Sequence, residues 1–214
     1  MVDIHLTAFS AETRERALAR MISDLGLTHA NLIRDDYYKP FLQTPDGQIF
    51  GLGVTHIRKV AKPFSLMAAS TCPQLGLDAE VWNLASRDDV FLKSVMATEE
   101  AKLAQAVNAR GQDAGVFLWV GKEAALKASG TVMVDPRHLA LRQVGANYFR
   151  TEPSKAATAP ITPANVWFYT YTAPQLDQQV LLAVAVADNP QPVKSISLKA
   201  EKLPGLVPLH LDSR

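Results

Sequence analysis

Apolar and polar positions change their period several times along the chain, and each change marks an element. Val2, Ile4, Leu6 and Ala8 alternate with Asp3, His5 and Thr7, the two-residue period of a half-buried strand. Ala17, Leu18, Met21, Ile22 and Leu25 then recur at helical spacing, which predicts a helix capped by Ser10 and running to about Leu25. Positions 35–47 carry Pro40, Pro45 and the turn pair Asp46-Gly47, and read as a connecting loop. Apolar runs of strand length follow at 49–54, 64–69 and 75–81. The Thr71-Cys72-Pro73 break before the last run predicts a boundary between an N-terminal half, 1–72, and a C-terminal half, 74–214. Positions 88–108 and 113–129 read as helical, the second stopped by Gly130. Positions 151–163, rich in Pro, Ala, Ser and Thr, read as an exposed loop, and two strong strands close the chain at 166–172 and 180–187. Strands and helices without strict alternation predict an α+β fold rather than a doubly wound sheet.

Composition narrows the function classes. Of 214 residues, 48% are apolar and 20% charged, which is ordinary for a soluble folded chain with one large core or two small ones. The formal net charge of +1 supplies no long-range field toward nucleic acid or membrane, so an anionic ligand needs a local cluster of basic groups. Cys72 is the only cysteine, which excludes an internal disulfide and a cysteine-built zinc site and fits a reducing compartment. Asp3 and His5 interrupt the first apolar stretch, unlike a signal peptide. No apolar run approaches the roughly 20 residues of a membrane span. The expectation is a cytoplasmic protein.

Three blocks carry candidate chemistry. In Gly76-Leu77-Asp78-Ala79-Glu80, strand alternation sends Asp78 and Glu80 to one side, where two carboxylates suit a hard cation such as Mg²⁺. Alone, such a pair is more often a solvated strand face. In the stretch from Trp119 to Gly130, residues Trp119, Glu123 and Lys127 are four apart and share a helix face, with Lys122 beside them. An exposed Glu-to-Lys pair would be the ordinary reading there, but Val116, Trp119 and Val120 make this helix largely apolar. In Thr55-His56-Ile57-Arg58-Lys59, a His and two basic residues at a strand end could hold a phosphate. The glycines of 115–122 are wrongly spaced for a P-loop, and no nucleophile elbow occurs. Trp82 and Trp167 read as core residues.

Together these blocks resemble the 4′-phosphopantetheinyl transferases, in order and separation as well as content. Lys39-Pro40 matches the family's basic-Pro pair, Thr55-His56 its Ser/Thr-His, Asp78 and Glu80 its paired acids. The Trp119–Gly130 stretch matches its Trp-x-x-Lys-Glu-Ala-x-x-Lys-Ala-x-Gly block, and Glu99-Glu100 stands where the family has an intervening Glu. The length is similar to that of the two-lobed type that activates peptide and polyketide synthetases. Departures occur at Tyr38, where the family has Gly before Lys-Pro, at Ile57, where it has a second Ser, and at Gly121.

The resemblance implies two similar α+β halves in one chain, a pseudo-dimer with its active site in the cleft between them. It implies transfer of phosphopantetheine from coenzyme A to a serine of an apo acyl or peptidyl carrier protein, releasing 3′,5′-ADP. Asp78, Glu80 and Glu123 would be metal ligands for Mg²⁺, or Mn²⁺, and Glu123 the general base. Lys127 would share in catalysis, and Lys39, His56, Arg58, Lys122 and Lys127 would bind coenzyme A, with His56 at the 3′-phosphate and the Arg14, Arg16 and Arg20 helix a weaker candidate. A chain supplying both walls of its cleft would be a monomer. The alternative is a non-catalytic homologue that binds coenzyme A or docks carrier proteins.

Overall fold

In chain order the elements are β1 (Val2–Phe9), α1 (Arg14–Asp24), β2 (Asn31–Arg34), β3 (Pro40–Gln43), β4 (Ile49–Ile57), β5 (Phe64–Ser70), β6 (Leu75–Val81), α2 (Asp89–Val95), α3 (Ala101–Ala109), α4 (Ala114–Ser129), β7 (Leu139–Gln143), β8 (Phe149–Pro153), β9 (Ala164–Thr172), β10 (Gln179–Ala187), β11 (Ile196–Lys199) and β12 (Leu206–Pro208). They come from a computed structural model that describes residues 1–9, 14–27, 29–36, 38–58, 63–82, 89–131, 134–145, 148–158, 160–172, 179–188, 193–200, 203 and 205–211. Ser10, the expected helix cap, and Lys59 lie outside the described residues. The fold is α+β, with two sheets and four α-helices among the described residues.

The first sheet has the order β11-β1-β5-β4-β3-β2 and the second β6-β10-β9-β8-β7, with β12 pairing β9. Apart from the parallel β1–β11 pair, the pairings are antiparallel. Setting β11 and β12 aside, the two sheets follow one plan. A first strand leads into helix, four strands follow, and the last of them returns beside the first. The Thr71-Cys72-Pro73 break falls between the last strand of the first sheet and the first strand of the second. β11 then carries the chain back to the edge of β1.

Alternation along the strands sorts the side chains into three cores. On β10, Val180, Leu182, Val184 and Val186 join Ile4, Leu6, Leu66 and Leu77 in a core shared by the two sheets. Leu181, Ala183, Ala185 and Ala187 instead pack with Phe117, Leu118 and Ala125 of α4. A strand buried on both faces reads as a continuous apolar run, as VLLAVAVA does. On the far side of the first sheet, Ala17 and Met21 of α1 pack on Phe50, Leu52, Met67 and Ala69. Each fully buried Leu, Val, Ile or Met side chain contributes about 1.5–3 kcal/mol.

Two close approaches fix where the candidate site falls. A Cβ on Gly53 would sit 2.8 Å from Leu77 Cβ, so β4 crosses β6 at a spacing only glycine allows. A Cβ on Gly76 would sit 1.9 Å from the Ala124 carbonyl oxygen, so α4 lies directly on β6. Gly53 and Gly76 thus bring His56, Asp78 and Glu123 into one neighbourhood.

Several expectations from the sequence are corrected. The expected loop at 35–47 contains β3, and β2 precedes it. The helix expected over 88–108 is divided into α2, a 3-10 turn at Thr98–Glu100 and α3. The break has a cause, because Glu100 turns its carboxylate back onto the Ala97 amide at 2.7 Å. The start of the expected loop at 151–163 belongs to β8, and β11 and β12 follow the strands expected to close the chain. No described helix is long and apolar enough to cross a membrane.

Candidate active site

A cleft of about 580 Å³ opens where α1 and the first sheet face β6 and the last turns of α4. Arg14, Arg34, Tyr38, Lys39, His56, Glu123 and Lys127 stand in its wall, over an apolar floor that includes Leu52, Val54, Leu77 and Leu126. Basic groups dominate this wall, although the whole chain is nearly neutral.

The acidic side is built by β6 and α4. Asp113 caps α4 by accepting the Val116 amide, and Gly130 ends it with φ +70, as its position after Ser129 predicts. The helix therefore holds Glu123 and Lys127 one turn apart over β6. Asp78 and Glu80 pair across β10 with Ala183 and Leu181, two residues of the α4-facing core, so both carboxylates leave β6 on the α4 side. Asp78 Oδ1 accepts Lys127 Nζ at 2.5 Å and Thr55 Oγ1 at 3.1 Å. Burial pushes the Asp78 carboxyl above its ordinary pKa, with Lys127 opposing and Glu80 adding to the rise. Burial likewise raises Glu123, and the charge of Asp78 raises it further. Glu80 Oε1 accepts the Val81 amide at 3.0 Å.

The donor chemistry here fits a hard divalent cation: three carboxylates with no Cys or His among them, and more buried negative charge than Lys127 alone offsets. As the side chains stand, no three of the described His, Cys, Asp and Glu residues are grouped as a ready-made cation site. Lys127 occupies the position at Asp78 that such an ion would contest.

The opposite wall comes from the first sheet. His56 Nδ1 meets Ser65 Oγ at 2.6 Å, its direct cross-strand partner on β5. This leaves Nε2 for the cleft. Partial desolvation lowers the His56 pKa, and the charges of Arg58, Arg14 and Lys127 lower it further, which favours the neutral ring. Lys39 Nζ donates to the Ala128 carbonyl at 2.6 Å and lies 5.3 Å from the centre of the Phe41 ring. Burial brings its pKa down to about 8, against the opposing pull of Asp35 and Cys72.

Lys122 stands apart from these groups. It is wholly buried, donating to Glu100 Oε2 at 2.6 Å and to the Val95 carbonyl at 2.7 Å. Glu100 also accepts the Ala97 and Leu141 amides, both at 2.7 Å. Burial pushes the acid up and the amine down, each opposed by its partner's charge. This network ties α4 to the end of α2, the 3-10 turn and β7. Lys122, expected to bind coenzyme A, is thus engaged by Glu100 and Val95 and is not among the residues lining the cleft.

The cleft brings together Lys39, His56, Glu123 and Lys127, with Asp78 behind Lys127. Arg58 is exposed and outside the cleft wall, though its charge reaches His56. Of the α1 arginines, Arg14 joins the cleft, whereas Arg20 lines a smaller pocket with His5 and Lys199. Ile57 is wholly buried in the core between the sheets, so its side chain does not reach a ligand. Gly121 is explained by Phe168, whose Cζ would lie 2.6 Å from an added Cβ.

Arg34 and Ser65 escaped the sequence reading. A loop reading of 35–47 hides the β2–β3 hairpin that delivers Arg34, and nothing along the chain marks Ser65 as the neighbour of His56. The chain matches no protein-family model, and no curated protein is significantly similar to it.

Proposed function

We propose that this chain is a 4′-phosphopantetheinyl transferase. It moves phosphopantetheine from coenzyme A to a serine of an apo acyl or peptidyl carrier protein and releases 3′,5′-ADP. The observation that carries the reading is the cleft: Arg14, Arg34, Lys39, His56 and Lys127 converge there with Glu123 on one wall. A ligand with a diphosphate and a separate 3′-phosphate suits such a local group of cations in a protein of net charge +1. The shared strand order of the two sheets supports two α+β halves related as a pseudo-dimer, with the active site between them. The chain would act as a monomer in the cytoplasm.

In this reading His56 donates through Nε2 to the 3′-phosphate, and Lys39 and Arg34 flank it. Asp78, Glu80 and Glu123 would hold Mg²⁺. When bound, such an ion supplies charge stabilisation at the diphosphate. Glu123, raised in pKa by burial and by Asp78, takes the proton of the carrier serine. The serine oxygen forms a bond to the phosphorus bearing the pantetheine arm, and the bond from that phosphorus to the bridging oxygen breaks. 3′,5′-ADP leaves with the bonding electron pair, and Lys127 offsets its charge. Positioning and electrostatics dominate such transfers.

The test is to incubate the protein with coenzyme A, Mg²⁺ and an apo carrier protein and read the carrier by intact mass. Gain of one phosphopantetheine is expected. Coenzyme A binding without any gain would favour the non-catalytic alternative.

A further inference from the structure

Tyr38 lines the cleft, and the phosphate chemistry does not use its ring. Hydrogen bonds surround this residue. Arg34 of β2 pairs with Pro40 of β3, and the short loop between them is closed by Asp35 N to the Lys39 carbonyl at 3.1 Å and Tyr38 N to the Asp35 carbonyl at 3.0 Å. The Asp35 carboxylate accepts the Lys39 amide at 2.9 Å, and Arg34 Nη1 donates to the Tyr38 carbonyl at 3.0 Å. In this loop Tyr38 has φ +63. A left-handed position ordinarily falls to glycine, because a Cβ there crowds the backbone. A tyrosine in that conformation is held at a conformational cost. It also leaves a large aromatic side chain 78% exposed, and none of the ring–ring contacts among the described residues involves it.

The neighbours define what such a ring could serve. Arg34, Lys39 and Arg14 line the same cleft, so an anion held by them lies beside an open aromatic face. An aromatic platform next to a phosphate clamp suits a nucleotide, with the phosphates on the cations and the base on the ring. Folding stability does not explain the ring, since it packs on little and its backbone would relax as glycine.

We propose that Tyr38 is a nucleobase platform: its ring stacks on the adenine of coenzyme A while the adjoining cations hold the phosphates. The proposal rests on the transferase reading above, and makes Tyr38 a residue that selects for the base.

The test is calorimetric titration of the full chain, and of Tyr38→Gly, Tyr38→Phe and Tyr38→Trp, with 3′,5′-ADP and with inorganic pyrophosphate as a base-free probe. Stacking of one base predicts that Tyr38→Gly weakens 3′,5′-ADP about 5- to 100-fold. Phe and Trp should keep the affinity, and pyrophosphate should bind all four proteins alike. Relief of the left-handed tyrosine predicts a melting temperature of Tyr38→Gly at or above the parent's, separating lost stacking from lost folding. Unchanged 3′,5′-ADP affinity in Tyr38→Gly would overturn the platform, as would equal weakening of both probes. Failure of the parent itself to bind either probe would overturn the transferase reading and the platform with it.

Discussion

Lys127 Nζ stands 2.5 Å from Asp78 Oδ1, so a lysine at the end of a helix is clamped onto a buried carboxylate of the strand beneath it. The Lys127 side chain is 41% exposed while that of Asp78 is 11% exposed. The pair thus couples the acidic and basic sides of the site. An ion arriving at Asp78, Glu80 and Glu123 would release Lys127 toward the ligand phosphates.

That coupling makes metal binding measurable without turnover. Mg²⁺ should raise the melting temperature of the parent, since an ion bound only by the folded state stabilises it by mass action. Asp78→Asn should lose the Mg²⁺-dependent rise, and transfer should stop in chelator and resume with Mg²⁺ or Mn²⁺. Equal Mg²⁺ responses in parent and Asp78→Asn, read by thermal melts, would remove Asp78 from the site.

The Ser65–His56 contact engages Nδ1 of the imidazole. If Nε2 serves the 3′-phosphate, His56→Ala should weaken coenzyme A about ten-fold or more while barely changing dephospho-coenzyme A, because a hydrogen bond to a charged group is worth about 1.5–3 kcal/mol. Equal losses for the two ligands would leave His56 with a structural role only.

Lys39 gives the cleft a pH dependence of defined sign. Its folded pKa is about 8 against 10.5 for the unfolded chain, so between these values the unfolded state binds more protons. The Lys39 contribution to stability should therefore rise with pH across that window. Affinity for 3′,5′-ADP should fall as pH rises through about 8, where the folded-state ammonium becomes an amine. Melts and titrations from pH 7 to 10 on the parent and Lys39→Met check both, and Lys39→Met should flatten each trend.

The Lys122–Glu100 pair predicts a different phenotype. Removing one partner of a wholly buried ion pair leaves the other uncompensated, which typically costs about 3–5 kcal/mol. Lys122→Met should lower stability by about that much. The double change Lys122→Met with Glu100→Gln should recover part of it, seen by urea unfolding. A stable Lys122→Met with weakened coenzyme A binding would restore Lys122 to the phosphate grip.

These contrasts mark what can be read along one chain. Elements with a strong period were legible, including β1, α1, α4 with its Asp113 and Gly130 ends, and the two long strands of the second sheet. Asp78 and Glu80 share a side as alternation requires, and Glu123 and Lys127 share a face as helical spacing requires. Short edge strands were not legible. β2 and β3 are four residues each, too short for a clear period, so their pairing comes from tertiary context. The burial of Lys122 was not legible either: helical spacing sets its direction, but its partner Glu100 comes from another element. The shared plan of the two sheets left no trace in residue identity, because burial on a strand face constrains polarity and size rather than sequence.

In the proposed reaction the cleft transfers phosphopantetheine with Glu123 accepting the serine proton. Gln has a helix propensity close to that of Glu, and removing a carboxylate whose ionisation burial disfavours should leave stability unchanged or raised. The direct measurement is release of 3′,5′-ADP alongside intact carrier mass, for the parent and Glu123→Gln, from acid to neutral pH. The parent should modify the carrier with one 3′,5′-ADP released per transfer, and its rate should fall as pH drops through a value above the ordinary Glu pKa of about 4.3. Glu123→Gln should melt within a few degrees of the parent yet transfer at least about 10²-fold more slowly. A folded Glu123→Gln with near-parental turnover, or a parent that binds coenzyme A and never modifies the carrier, would contradict the account.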